Sequence, residues 1–164
     1  MTRVFLGLGS NLGDRELNTV RALRLLGRLG PLRRSLFYES DPVGIPGAGP
    51  FLNCILDVWT YLNPHDVLLH ALWVEVTLGR LRAERALSRT MDVDVLFYGD
   101  QTIRENGLEI PHPRLHERAF VLVPLAELAP NFVHPVLHKT VGELLELVGR
   151  TGVRHWRGDD SSCL

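Results

Sequence analysis

The stretch Arg33-Arg34-Ser35-Leu36-Phe37-Tyr38-Glu39-Ser40, the segment Asp41 to Pro50, and then Phe51-Leu52-Asn53-Cys54-Ile55-Leu56-Asp57-Val58-Trp59-Thr60 together decide the fold. Both flanks are β-prone and read as strands. The segment between them holds three prolines and three glycines in ten residues, so it reads as a loop. Two strands thus follow one another directly, the second antiparallel to the first. Upstream, Thr2 to Leu8 is an apolar strand that stops at Gly9-Ser10-Asn11-Leu12-Gly13-Asp14. From Arg15 to Leu29 the apolar positions Leu17, Val20, Leu23, Leu25, Leu26 and Leu29 have helical spacing, with Asp14 as N-cap and Gly30-Pro31 as the stop. Downstream, Asn63-Pro64 opens a helix to about Leu78, since proline suits a first helical turn. Gly79 to Arg89 is a polar loop, Thr90 to Tyr98 a strand, and Ile103 to Ile110 its partner strand. Helices are expected from Glu117 to Leu128 and from Thr140 to Val148. The order β-α-β-β-α-β predicts an α+β, ferredoxin-like antiparallel sheet with helices packed on one face, plus extra C-terminal elements. No linker or low-complexity tract divides residues 1–164, so a single domain is expected.

Composition narrows the function. The 164 residues are 45% apolar and 23% charged, which suits a folded globular chain rather than a disordered one. No stretch approaches the ~20 apolar residues of a membrane span, and the glycine-broken N-terminus does not read as a signal peptide. The net charge of −1 gives no electrostatic footprint for nucleic acid or membrane. Cys54 and Cys163 make no disulfide framework, so a cytoplasmic location is expected. Lys139 is the one lysine among 18 basic residues; the other 17 are arginine, the better bidentate partner for phosphate.

Several residue sets could carry chemistry. Asp92 and Asp94 sit at i and i+2 of a strand, so they share a face, roughly 7 Å apart. Paired carboxylates repel unless a cation sits between them, and Mg²⁺ with phosphate oxygens fits; a solvated strand face is the plain alternative. Arg80, Arg82, Arg85 and Arg89 lie directly before them. A cationic loop beside a di-carboxylate strand suits phosphoryl transfer, although such a loop can simply face solvent. Phe51 and Asn53 share a strand face, pairing a ring that stacks with an amide that reads the edge of a planar heterocycle. A core Phe and a turn-capping Asn would read the same way. The pairs His112/His116 and His134/His138 have H-x3-H spacing, but the prolines beside them work against a zinc reading. His112 is better read as a phosphate or nucleotide contact and Arg118 as an anion contact. Gly7-Leu8-Gly9 is half of a dinucleotide fingerprint, and Leu12 stands where its third glycine is needed.

Taken together, Gly7-Leu8-Gly9-Ser10-Asn11-Leu12-Gly13, Phe37–Gly44, Phe51-Leu52-Asn53, Arg89–Gly99 and Pro111–Phe120 resemble the signature blocks of the 6-hydroxymethyl-7,8-dihydropterin pyrophosphokinase family. The blocks occur in family order between about residues 2 and 135. The resemblance implies a ferredoxin-like α+β enzyme of folate biosynthesis that moves pyrophosphate from ATP to a pterin alcohol. It implies two Mg²⁺ ions on Asp92 and Asp94, and ATP contacts at Glu75, Arg89, His112 and Arg118. It implies a pterin site of Ser40, Pro42, Val43, Gly44, Phe51, Asn53 and Phe120, and closing-loop arginines at Arg80 and Arg82. Small-molecule substrates and no obligate protein partner follow. Ala86-Leu87-Ser88 departs from the family's Trp-Gly-Pro, and the loop from Gly79 to Arg89 is expected to order only when all substrates are bound. Two other classes remain readable from the residues, a non-catalytic metabolite-binding module and a different Mg²⁺-dependent nucleotide enzyme.

Overall fold

The computed structural model of the chain describes residues 1–79 and 89–158. Strand β1 (Thr2–Ser10) is flanked by β4 (Phe51–Thr60) and β5 (Asp92–Tyr98), both antiparallel to it. On the far edge of β4 lie β2 (Leu32–Arg34) and β3 (Tyr38–Ser40), and β3 also pairs with β8 (Val153–His155). If β2 and β3 count as one arm, the first four strands stand in the spatial order 4-1-3-2, the ferredoxin-like topology the element order predicts.

The expected strand from Arg33 to Ser40 is interrupted at Ser35. Its N–H donates to Ile55 O, but its hydroxyl, not its carbonyl, accepts from Ile55 N at 3.0 Å. A side chain standing in for the backbone breaks the ladder and splits the arm in two. The expected strand from Ile103 to Ile110 is a hairpin of β6 (Ile103–Glu105) and β7 (Leu108–Ile110), set apart from the main sheet. Asn106-Gly107, with Gly107 at φ 86°, makes its two-residue turn.

Helices cover both faces of the sheet, where one face was expected. α1 (Arg15–Leu26) and α2 (Pro64–Thr77) pack on Val4, Leu6, Leu8, Cys54 and Leu56. α3 (Ala119–Leu128) and α4 (Val141–Val148) pack on Phe5, Ile55, Leu96 and Phe97. The reason is visible in Val4-Phe5-Leu6: successive strand residues point to opposite faces, so an apolar run demands cover on both. In α1 the buried stripe is Thr19, Ala22 and Leu26, while Leu17 is exposed. Thr19 can be buried because its hydroxyl donates to Arg15 O at 2.8 Å. The caps follow the sequence, with Asp14 accepting from Leu17 N and Asn63 from Asp66 N.

His134, from the second histidine pair, is structural. Its ring packs edge-on against Phe97, and its Nδ1 accepts from the N–H groups of Val136 and Leu137. Burial, with smaller contributions from His116 and His138, pushes its pKa down to about 4. Because the folded value lies below the ~6.5 of an unfolded histidine, protonation favours unfolding. This stabilising contribution is complete above about pH 6.5 and is lost as pH falls toward 4. The urea midpoint should fall over that window. The fall should be smaller in His134→Asn, which keeps an acceptor but does not titrate.

Candidate active site

The second face of the sheet is only partly covered by α3 and α4. Past their ends, β1 contributes Gly7 and Gly9, with no side chains to fill the space. Gly9 pairs with Asn53 on one side and Asp92 on the other, and Gly7 with Ile55 and Asp94. A Cβ on Gly9 would reach 3.4 Å from Asn53 Oδ1 and 3.6 Å from Phe51. The two glycines, whose spacing makes only half of a dinucleotide fingerprint, are thus the floor of an open cavity of about 680 Å³. Glycine inside a strand often marks close approach by a ligand, and that signal was available in the sequence.

One half of the cavity is aromatic and amide. Phe51 and Asn53 rise from β4, Ser40 from the end of β3, and Phe120 from the first turn of α3. Pro42, Val43 and Gly44 form part of the rim. Asn53 is 4% exposed, and its Nδ2 donates to Ser40 Oγ at 2.8 Å. Its Oδ1 is turned to the glycine floor. Arg118 lies over the Phe120 ring, 5.6 Å from its centroid.

The other half is charged. Asp92 and Asp94 alternate on one face of β5. Asp92 Oδ2 accepts from Arg89 Nη1. Asp94 Oδ2 lies 4.0 Å from both His112 Nε2 and Arg118 Nη1. Burial, with help from the Arg118 charge, lowers the His112 pKa, and its Nδ1 accepts from Arg114 N, so the neutral imidazole turns Nε2–H toward Asp94 from behind the cavity wall, which His112 does not itself line. Arg114 and Glu117 also line the cavity, and neither was singled out from the sequence as a site residue.

Three supporting features complete the site. Asn11 fixes the backbone of Arg89 through two bonds, Arg89 N to Asn11 Oδ1 at 2.6 Å and Asn11 N to Arg89 O at 3.1 Å. Glu75, expected at the nucleotide, does not line the cavity; it is 3% exposed on α2, and its Oε1 accepts from Val93 N at 2.8 Å. It therefore fixes the peptide between the two aspartates from the outer edge of β5. Val148, Thr151, Gly152 and Val153 close the aromatic end, a contribution no motif announced. Arg80, Arg82 and Arg85, and with them the expected ordering of the segment on substrate binding, lie outside the described residues.

The donor set fits a hard divalent cation. Two carboxylates stand on one strand face over a floor without side chains, and among the described residues no third His, Cys, Asp or Glu completes a cage. Such a site leaves coordination positions for phosphate and water, as Mg²⁺ prefers.

The architecture defines a class, a ferredoxin-like α+β domain with a cavity shared between an aromatic-amide half and a carboxylate-guanidinium half. Within that class, the chain belongs to the 7,8-dihydro-6-hydroxymethylpterin-pyrophosphokinase (HPPK) family, whose sequence model matches residues 5–130. It is 39% identical over 144 residues to the 2-amino-4-hydroxy-6-hydroxymethyldihydropteridine pyrophosphokinase of Aquifex aeolicus, covering 87% of this chain and 90% of that one. It is 40% identical over 156 residues to the protein of the same name from Methylorubrum extorquens, covering 93% and 98%. A folic acid synthesis protein of Dictyostelium discoideum is 39% identical over 142 residues, 86% of this chain but 22% of that protein. Among solved structures, Plasmodium falciparum HPPK-DHPS superposes with a TM-score of 0.71 at 15% identity, over 94% of this chain and 48% of that chain. A second HPPK-DHPS structure, in complex with substrates, gives 0.74 at 11% identity over 94% and 46%. At those identities the likeness is one of fold. The chain thus spans about half of the two-part structures and nearly all of the stand-alone relatives.

Proposed function

We propose that this chain transfers the pyrophosphoryl group of ATP to the hydroxymethyl oxygen of 6-hydroxymethyl-7,8-dihydropterin, releasing AMP, as a step of folate biosynthesis. The 164 residues act as one domain, in the cytoplasm and without an obligate protein partner; among the described residues no helix is long and apolar enough to cross a membrane. The observation that carries the reading is the shared cavity. A wall with aromatic and amide groups and a wall with carboxylates and guanidiniums meet over one glycine floor, as a flat hydrogen-bonding ring and a polyphosphate would need. Phe51 and Phe120 stack the ring, Asn53 Oδ1 accepts from its edge, and Ser40 with the backbone of Pro42, Val43 and Gly44 closes around it.

The hydroxymethyl oxygen gives up its proton to solvent as it attacks the β-phosphorus, the bond from that phosphorus to the bridging oxygen of the α-phosphate breaks, and AMP leaves with the electron pair. Asp92 and Asp94 would hold two Mg²⁺ ions, whose charge offsets that of the triphosphate. Arg89, Arg118 and the Nε2–H of His112 bind phosphate oxygens, and Arg80 and Arg82 add positive charge toward them. The protein mainly supplies position and charge, which suits a loose phosphoryl transition state.

AMP release from ATP with Mg²⁺, with and without the hydroxymethyl-dihydropterin, tests the reading. AMP should form only with the pterin present. ATP consumption indifferent to the pterin would favour another Mg²⁺-dependent enzyme, and pterin binding without AMP would favour a metabolite-binding module.

A further inference from the structure

The segment Asp41 to Pro50 forms much of the aromatic rim, and among the described residues its middle is held by few bonds, from Ala48 N to Ile45 O at 3.2 Å and from Asn11 Nδ2 to Gly49 O at 3.5 Å. Val43 is 68% exposed, and a Cβ added at Gly44 or Gly47 would meet no described residue within 4 Å. Its two ends, by contrast, are fastened by charged groups, one of which, Arg154, comes from beyond residue 130. At the first end, Arg154 of β8 donates from Nη2 and Nε to Glu39 Oε1 at 2.6 and 3.1 Å, and from Nη1 to Asp41 Oδ1 at 3.0 Å. At the second end, Arg15 of α1 donates from Nη1 to Pro50 O at 2.9 Å. The same guanidinium pairs through Nη2 with Glu39 Oε2 at 2.8 Å. The Glu39 carboxylate therefore joins both ends of the loop through two arginines. The Glu39 side chain is only 15% exposed and that of Arg15 20%, so this arm of the brace is better shielded than an ordinary surface pair, whereas Arg154 is 49% exposed.

The backbone reinforces the first end. β8 pairs Glu39 with Arg154 and Ser40 with Val153, and Asp41 N donates to Gly152 O at 3.0 Å. Gly152 and Val153 themselves face the cavity. All of β8 lies beyond residue 130, where the family match ends.

We infer that Arg154 and Glu39 are positioning residues for the planar substrate: the C-terminal strand, through the Arg154–Glu39–Arg15 brace, sets the spacing between the rim loop and the ring-binding wall. This rests on the assignment of the aromatic half to the pterin. Neither residue touches the ring. Their loss widens the ensemble of loop positions, so substrate binding bears the cost of reordering the loop.

The test uses the full chain with Arg154→Ala, Arg154→Lys and Glu39→Gln. Hydroxymethyl-dihydropterin and a non-hydrolysable ATP analogue are titrated separately by calorimetry, kcat and KM are measured, and amide exchange is followed across residues 41–50. For Arg154→Ala, the pterin Kd and KM should rise about three- to tenfold, with analogue affinity and kcat within about twofold, in line with the modest strength of partly exposed ion pairs. Exchange of the loop should quicken. Arg154→Lys should recover part of the loss, and Glu39→Gln should match Arg154→Ala. Unchanged pterin affinity and loop exchange, or equal losses for both ligands, would overturn the inference. If the wild-type chain binds the analogue but no pterin, the substrate assignment fails instead. In that case unchanged loop exchange in Arg154→Ala would still overturn the brace.

Discussion

Asp92→Asn and Asp94→Asn should each lower kcat by a factor on the order of 10³ or more while leaving the fold intact, a loss comparable to removing a main electrostatic contact from a transition state. Asparagine keeps the shape of the side chain and removes the charge that a divalent cation needs. The strand that carries these side chains is held mainly by other contacts. Both groups stand on the open face of β5, with side chains 20% and 38% exposed. The strand itself is fixed by its pairing with β1 and by the Glu75 bond to Val93 N. Thermal midpoints should therefore stay within a few degrees of wild type. The two variants should differ in one respect. Asp92→Asn also removes the carboxylate that binds Arg89, so analogue affinity should change more in that variant than in Asp94→Asn, where the Arg89–Asp92 pair survives. Single-turnover AMP formation at saturating Mg²⁺ provides the measurement. If either variant keeps most of its activity, the carboxylates do not hold the metal.

How far the sequence led can be judged from these same residues. Asp92 and Asp94 were legible because the two-residue period of a strand fixes which side chains share a face. Phe51 and Asn53 were legible for the same reason, and the cavity is lined by all four. Glu75 was placed at the nucleotide, but its carboxylate serves a buried backbone N–H across a helix-strand contact, and such a partnership has no local pattern. The Ser35 break was hidden because a serine within a strand looks the same whether its hydroxyl faces solvent or replaces a carbonyl in the ladder. The hairpin at Asn106-Gly107 had a usable signal, the dipeptide that favours positive φ, outweighed by the apolar residues on either side. Strand β8 had none. Three residues, Val153-Arg154-His155, are too few to show periodicity, and they become a strand because β3 offers them an open edge.

Asn53→Ala is the second large effect expected, and it separates the two halves of the cavity. The side chain is 4% exposed and its two ends do different work. Nδ2 donates inward, to Ser40 Oγ at 2.8 Å and to Tyr38 O at 3.3 Å, which fixes the plane of the amide. With the nitrogen engaged there, Oδ1 is left facing the glycine floor, where the edge of a bound ring would donate to it. Alanine removes both functions. A buried donor on the pterin left unpaired costs about 1–3 kcal/mol, so pterin affinity should fall by roughly ten- to a hundredfold. Ser40 also loses its donor, and stability should drop by about 1 kcal/mol. ATP has no contact with this amide in the proposed arrangement, so binding of a non-hydrolysable analogue should hold within about twofold. Calorimetry with each ligand alone resolves the two cases. A selective loss of pterin supports the ring-edge role of Asn53. Equal losses of pterin and analogue would instead mean that the substitution disturbs the sheet beneath both halves.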